Sequence, residues 1–246
     1  MQRYFIPADV LNGSHVRLTG DEVHHIRNVM RNRPGDRIIV CFEDGYDYVC
    51  EIQDLNHHQI DCIVVEKFPS QGEPQTKITI AQSLVKGDKL EWIVQKGTEI
   101  GASSFQPFHS ARSIVKINAP KEMKKRERWQ RIAKEAAEQS HRGKVPAVLP
   151  VLPWNAILDK IEKFPLSLIA YEKGGIPINQ AMAGSQADEI LLLIGPEGGF
   201  TEDEVNGAHA KGAIPITLGP RILRTETAPL VALSCMLFYR NELGGE

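Results

Sequence analysis

An apolar run, Ile190-Leu191-Leu192-Leu193-Ile194, leads straight into Gly195-Pro196-Glu197-Gly198-Gly199-Phe200 and then Thr201-Glu202-Asp203-Glu204. A continuous apolar run ended by glycine fits a strand buried on both faces, the kind found in parallel sheets covered by helices. The pattern then repeats: Pro215-Ile216-Thr217-Leu218 opens into Gly219-Pro220-Arg221-Ile222-Leu223-Arg224-Thr225-Glu226-Thr227-Ala228. Open α/β sheets bind ligands outside the carboxyl ends of their strands, so these two loops mark a candidate small-molecule pocket.

The rest of the chain divides in character. Up to about residue 68 it reads mostly as strands, at 37–42, 46–52 and 60–65, with Asp44-Gly45 as a hairpin turn signal. One helix interrupts them at 21–30, with Val23, Ile26, Val29 and Met30 on one face. This predicts a small β-barrel domain. Residues 69–75 are polar and rich in Pro and Gly, and read as a linker. Beyond them strands (78–82, 104–108, 167–171, 190–194, 215–218) alternate with helices (88–100, 124–140, 201–211, 227–243). Such alternation predicts a mostly parallel, doubly covered sheet. Asp88 with Glu91, and Thr201 with Glu204, have capping-box spacing. Gly101 would stop the first of these helices, and Gly244-Gly245 the last.

The net charge is −2, so charge balance alone gives no sign of a nucleic-acid partner. Residues 112–144 are locally basic, however: Arg112, Lys116, Lys121, Lys124, Lys125, Arg126, Arg128, Arg131, Lys134, Arg142 and Lys144 face only Glu122, Glu127, Glu135 and Glu138. Such a stretch is either a phosphate-binding footprint or a solvated helix face with pairs such as Glu127 and Arg131. No apolar run is long enough to span a membrane, and the start lacks the apolar core of a signal peptide. Cys41, Cys50, Cys62 and Cys235 show no metal-ligand spacing and read as reduced core residues of a cytoplasmic protein.

The loops carry neither a dinucleotide nor a P-loop fingerprint. A glycine turn alone fits an ordinary strand-to-helix connection equally well. Glu197 inside the first loop disfavours phosphate and suits a neutral or cationic ligand. Arg221 and Arg224 in the second suit bidentate recognition of phosphate. Thr225 or Thr227 could cap the final helix, with Pro229 in its first turn.

These two loops, together with Lys96-Gly97-Thr98-Glu99-Ile100-Gly101 and Glu135-Ala136-Ala137-Glu138-Gln139-Ser140, resemble the ribosomal RNA small subunit methyltransferase E family of the SPOUT superfamily. The front region, with His24-His25-Ile26-Arg27-Asn28-Val29-Met30-Arg31 and Pro34-Gly35-Asp36, is similar to that family's PUA-like RNA-binding domain. The resemblance covers essentially the whole chain. It implies an α/β fold: a PUA-like β-barrel domain over 1–70, then a SPOUT domain with a deep trefoil knot over 76–246. It implies transfer of a methyl group from S-adenosyl-L-methionine to N3 of a uridine in 16S rRNA. The partners implied are 16S rRNA or the small ribosomal subunit and a second copy of the chain, with no metal and no membrane.

Carried over by motif, the cofactor-binding residues are Leu193, Ile194, Gly195, Glu197, Gly198 and Gly199 in the first loop. In the second they are Leu218, Gly219, Ile222, Leu223, Arg224 and Thr227. Candidate RNA contacts are Arg27, Arg31, Arg112, Lys125, Arg142 and Arg221. For catalysis, Arg224 would stabilise negative charge on the uracil oxygens, with Glu197 or Glu138 as base or orienter. Two other readings fit the residues: a SPOUT enzyme with another base or ribose target, and a non-catalytic RNA-binding assembly factor.

Overall fold

The computed structural model describes residues 1–115 and 119–244; Lys116 of the basic stretch and Gly245 at the end of the last helix lie outside them. Contacts divide the chain into two compact units, Met1–Glu73 with Ala137–Val145, and Pro74–Ala136 with Pro146–Glu246.

In the first unit the strands are β1 (Arg3–Phe5), β2 (Leu11–Asn12), β3 (His15–Thr19), β4 (Arg37–Cys41), β5 (Tyr46–Leu55) and β6 (Gln59–Pro69). They form one sheet in the order β1-β4-β5-β6-β3-β2. Strand β3 alternates as its sequence demands, with Val16 and Leu18 inward. The β5–β6 hairpin turns on Asn56, whose Oδ1 accepts the N–H groups of His58 and Gln59. Register shifts near Val49 and Ile52 bend this long hairpin. Tyr4 and Ile6 from one side of the sheet, and Val10, Leu11 and Val16 from the other, enter one core cluster, as in a barrel. No ladder joins β1 to β2 among the described residues, so the hydrogen bonding is that of a sheet with edges.

The helix expected at 21–30 is α1 (Asp21–His24) followed by a π-helical turn, His25–Val29. The wider turn rotates later residues off the buried face. Val23 and Ile26 are buried, whereas Val29 and Met30, expected beside them, are exposed.

Residues 137–145 are stitched to this sheet. Ala137 packs on Phe5, Ile39 and Cys41, with Val145 alongside. Phe5 N–H donates to Glu138 and Val145 N–H to Glu43. Beneath them lies a buried charge network. The Arg3 guanidinium forks onto Asp47 at 2.8 and 2.5 Å and also donates to the Arg142 carbonyl. Ser70 Oγ donates to the same aspartate, and the Cys41 thiol lies 3.3 Å from it. Gly72 is needed here, because a Cβ on it would come 2.4 Å from the His141 carbonyl oxygen.

The second unit contains β7 (Lys77–Ser83), α2 (Lys89–Ile100), β8 (Ser104–Phe108), α3 (Ala119–Gln139, which enters the first unit at Ala137), β9 (Ala147–Val148) and α4 (Trp154–Ile161). There follow β10 (Leu166–Ala170), β11 (Ile176–Pro177), α5 (Ile178–Met182), β12 (Glu189–Ile194), α6 (Glu202–Ala210), β13 (Ile214–Thr217) and α7 (Ala228–Tyr239). The sheet order is β11-β13-β10-β12-β7-β8-β9, and every pairing in it is parallel. Helices α4 and α6 bury Ile157, Ile161, Val205 and Ala208 against Ala81, Ile169, Leu191 and Leu193. Helix α7 contacts β7 and β12 and packs with α2 and α5. Both faces of β12 are therefore covered, which is why its sequence is uniformly apolar. No helix among the described residues is long and apolar enough to cross a membrane.

Four local expectations need correction. The Asp88 side chain makes no cap bond, because Glu91 is drawn away to Arg128 at 2.7 Å. Neither Thr225 nor Thr227 caps α7: Thr227 holds the N-cap position without a side-chain bond, and Thr225 bonds elsewhere. Helix α7 ends at Tyr239 rather than 243, since Asn241 turns left-handed (φ 59) and Glu242 N–H closes back on the Leu237 carbonyl. Cys235 is exposed, unlike the three other cysteines.

Candidate functional site

The carboxyl ends of β13, β10 and β12, which are neighbours in the sheet, open into three loops around a cavity of about 880 Å³. That volume is of the size that takes a cofactor-sized ligand. The first loop follows β12. Gly199 (φ 66) donates its N–H to the Pro196 carbonyl, closing a tight turn whose left-handed backbone favours glycine. Phe200, fully buried, stacks on Phe108 with ring centroids 6.3 Å apart and pins the end of the loop. Thr201 then starts α6 with the capping box its sequence predicts, Glu204 bonding back to the Thr201 N–H at 2.9 Å.

The second loop follows β13, where Gly219 (φ 98) makes the turn. Thr225 ties this loop to the first, its hydroxyl donating to the Gly195 carbonyl at 2.7 Å. Gln82, at the end of β7 and fully buried, donates to both Thr225 Oγ1 and the Gly195 carbonyl. Lys89, at the start of α2, spans the same two loops, 3.1 Å from Glu197 and 3.4 Å from Glu226.

Partial burial raises the Glu197 pKa, but its own backbone N–H, the Lys89 ammonium and the Lys86 N–H outweigh this and hold it below the ordinary carboxylate value. A carboxylate held ionised in this way is a firm partner for the Lys89 ammonium. Lys89 is shifted upward by the same bonds, chiefly that to Glu197, against a smaller desolvation effect. The pair is thus fully charged near neutral pH and acts as a clamp between the loops.

Of the residues expected to hold a cofactor, Ile194, Gly195, Glu197, Gly198, Gly199, Leu218, Gly219, Ile222, Leu223 and Arg224 line this cavity, as does Arg221. Leu193 does not: it is fully buried within the sheet, in register with Ile169 and Ala81. Thr227 also stands outside the lining, and Ala228 takes its place. Arg112 is not in the lining either, but its guanidinium donates to the Gly198 carbonyl. Lys125 is exposed on α3.

Arg27, Arg31, Glu138 and Arg142 belong to the first unit. There Arg27 lies against the His57 ring and Glu138 accepts the Phe5 N–H. Arg142 requires a correction. Only 3% exposed and forked onto Glu73 at 3.0 and 2.6 Å, it is a buried structural ion pair and not an RNA contact.

Sequence reasoning missed the third loop, after β10, where Tyr171, Glu172, Gly174 and Gly175 line the cavity. Gly175 (φ 117) lies so close to Pro215 that a Cβ would meet its backbone at 2.7 Å. The available signal was Gly174-Gly175 shortly after the apolar run 168–170, a weaker form of the pattern in the other two loops. Lys89 and Gln82 carry no local signal, since their partners lie more than a hundred residues away. No metal-binding cluster of His, Cys, Asp or Glu occurs among the described residues.

Comparisons with known proteins identify the family. Residues 72–237, which span all three loops, match the RNA methyltransferase domain family, and residues 18–65 match the RNA methyltransferase PUA domain. The chain is 46% identical to ribosomal RNA small subunit methyltransferase E of Bacillus subtilis, with all of both chains covered. It is 36% identical to the Synechocystis protein of that name, covering 93% of this chain and 74% of that one. Among solved structures, ribosomal RNA small subunit methyltransferase E of Neisseria gonorrhoeae, bound to S-adenosyl methionine, superposes with a TM-score of 0.87 at 34% identity, covering 97% of each chain. With the likeness running end to end in both sequence and fold, the chain belongs to the ribosomal RNA small subunit methyltransferase E family.

Proposed function

We propose that this enzyme moves a methyl group from S-adenosyl-L-methionine to N3 of a uridine in 16S rRNA, acting on the rRNA or small subunit in the cytoplasm. The observation that carries this reading is the three-loop cavity with its tied loops. Its lining suits the cofactor. Ile222 and Leu223 offer apolar surface to an adenine, and the Glu172 carboxylate can meet ribose hydroxyls or a cationic group. Glu197 is already neutralised by Lys89.

The cofactor supplies an electrophilic methyl group on a sulfonium. The chain's own residues hold the loops and the uracil. Arg224, exposed on the cavity wall, stabilises the charge that develops on the uracil oxygens as N3 gives up its proton to solvent water and takes the methyl group, leaving S-adenosylhomocysteine. Arg221 beside it takes a phosphate of the bound strand. Glu197 positions the loops through Lys89. Exposed cations of α3 such as Lys125 follow the RNA backbone, which makes binding salt-sensitive.

We also infer that the catalytic domain carries a deep trefoil knot, as its membership of the family implies. A homodimer through α7 belongs to the same reading. This helix is apolar around its whole circumference, yet Phe238 is 66% and Tyr239 41% exposed. They flank a hollow shared with Val231 and Cys235. Sedimentation of the wild type as a dimer and of Phe238→Glu as a folded monomer is the expected result. A wild-type monomer at micromolar concentration would remove the dimer.

The cofactor reading is tested by calorimetry with S-adenosylmethionine. The wild type is expected to bind, and Gly199→Val to lose at least about a hundredfold in affinity, since a β-branched residue is strained at this left-handed φ and its Cβ would displace the Glu172 carboxylate that lines the cavity. Methyl transfer to unmethylated small subunits, with the product nucleoside identified by chromatography, then reads the target atom. Methylation at another atom would sink the N3 assignment, and cofactor binding without transfer to any RNA would favour the assembly-factor reading.

A further inference from the structure

Arg112 does two things that its place in a basic stretch does not explain. Its Nη1 donates to the Gly198 carbonyl at 2.8 Å and to the Phe200 carbonyl at 3.4 Å, both on the first cavity loop. Its stem also covers Gly198, since a Cβ on that glycine would lie 3.4 Å from Arg112 Cδ. The segment that presents Arg112 is anchored on both sides. The hydroxyls of Ser110, Ser113 and Ser83, the last at the end of β7, close a ring at 2.8, 2.8 and 3.0 Å. Ala111 N–H donates to Glu204, the same buried carboxylate that caps α6.

The outer edge of the guanidinium is open. Arg112 is exposed, and its Nε and Nη2 make no hydrogen bond among the described residues. A guanidinium presents five donors in a planar fork, so one edge can hold a carbonyl while the other takes a phosphate oxygen. Helix α3, which follows in sequence, carries further exposed cations in Lys124 and Lys125.

We propose that Arg112 couples the two substrates of the reaction, so that RNA and S-adenosylmethionine bind more tightly together than alone. This rests on the methyltransferase reading above. An exposed arginine gives up rotamer freedom to hold Gly198. A phosphate on its outer edge fixes the same rotamer, so the ordering cost of the cofactor loop is met once for both ligands. Linkage requires the effect to be equal in both directions.

The test is equilibrium dialysis with S-adenosylhomocysteine, which cannot react, with and without unmethylated small subunits. In the wild type, subunits are expected to lower its Kd by about fivefold or more, the lower end of ordinary coupling. Arg112→Ala is expected to weaken binding without subunits and to abolish the effect of adding them. Arg112→Lys, which keeps the charge but not the fork, is expected to retain subunit affinity and lose the coupling. An Arg112→Ala Kd raised by the same factor with and without subunits would make the arginine merely structural and overturn the proposal. So would a wild-type Kd indifferent to subunits that the same preparation methylates. A wild type that neither methylates subunits nor binds S-adenosylhomocysteine would refute the enzymatic reading itself.

Discussion

Replacing Arg224 by alanine is expected to slow methyl transfer to unmethylated small subunits by about 10²–10³-fold, the usual cost of removing one donor aimed at developing negative charge. The fold should not notice the change. The Arg224 backbone carbonyl, not its side chain, accepts the N–H groups of Thr227 and Ala228 that start α7. The side chain is exposed on the cavity wall, so truncation leaves no buried group unpaired. Single-turnover rates at saturating cofactor and subunits separate this from a binding defect: the rate should fall while the S-adenosylmethionine Kd stays within a few-fold of wild type. Wild-type turnover in the variant would remove Arg224 from the chemistry and leave Arg221 as the nearest cationic candidate on the same loop.

Asp47→Ala is expected to cost about 3–5 kcal/mol of stability, the range for stripping one partner from a buried ion pair. Arg3 and Asp47 have side chains only 4% and 3% exposed, so water cannot replace the lost carboxylate. The same substitution removes an acceptor from Ser70 and a partner from the Cys41 thiol. The urea midpoint gives the measurement. The double substitution Arg3→Met with Asp47→Leu should recover much of the loss, because no uncompensated charge then remains buried. A single variant as stable as wild type would show that the network is hydrated and not sealed.

Local chemistry was readable in the chain wherever its partner lay within a turn or a strand. The Thr201–Glu204 capping box, the Gly101 stop and the apolar β12 all appear where the residue types place them. The Asp88–Glu91 spacing reads just as well and does not form, because Arg128, thirty-seven residues further on, takes the Glu91 carboxylate. Arg142 shows the same limit. In a run of basic residues it reads as an RNA contact, yet Glu73 and the Arg3 network bury it. The two main cavity loops were legible because glycine after an apolar strand is a backbone requirement written in sequence. Lys89, Gln82 and Glu172 were not, since only the order of β10, β12 and β7 in the sheet brings them to the same end.

The path of the chain through its two units limits how this protein can be taken apart. The N-terminal module is not a detachable prefix, because one of its pieces, Ala137–Val145, is supplied from far downstream. A fragment ending at residue 73 would lack the guanidinium that Glu73 binds and the Ala137 methyl that covers Phe5 and Cys41. An exchange of RNA-binding modules between relatives must therefore graft both pieces together. Evolution faces the same constraint: a substitution at Glu73 or Glu43 is answerable to residues 142 and 145, so the front module cannot drift independently of the domain that encloses its missing segment.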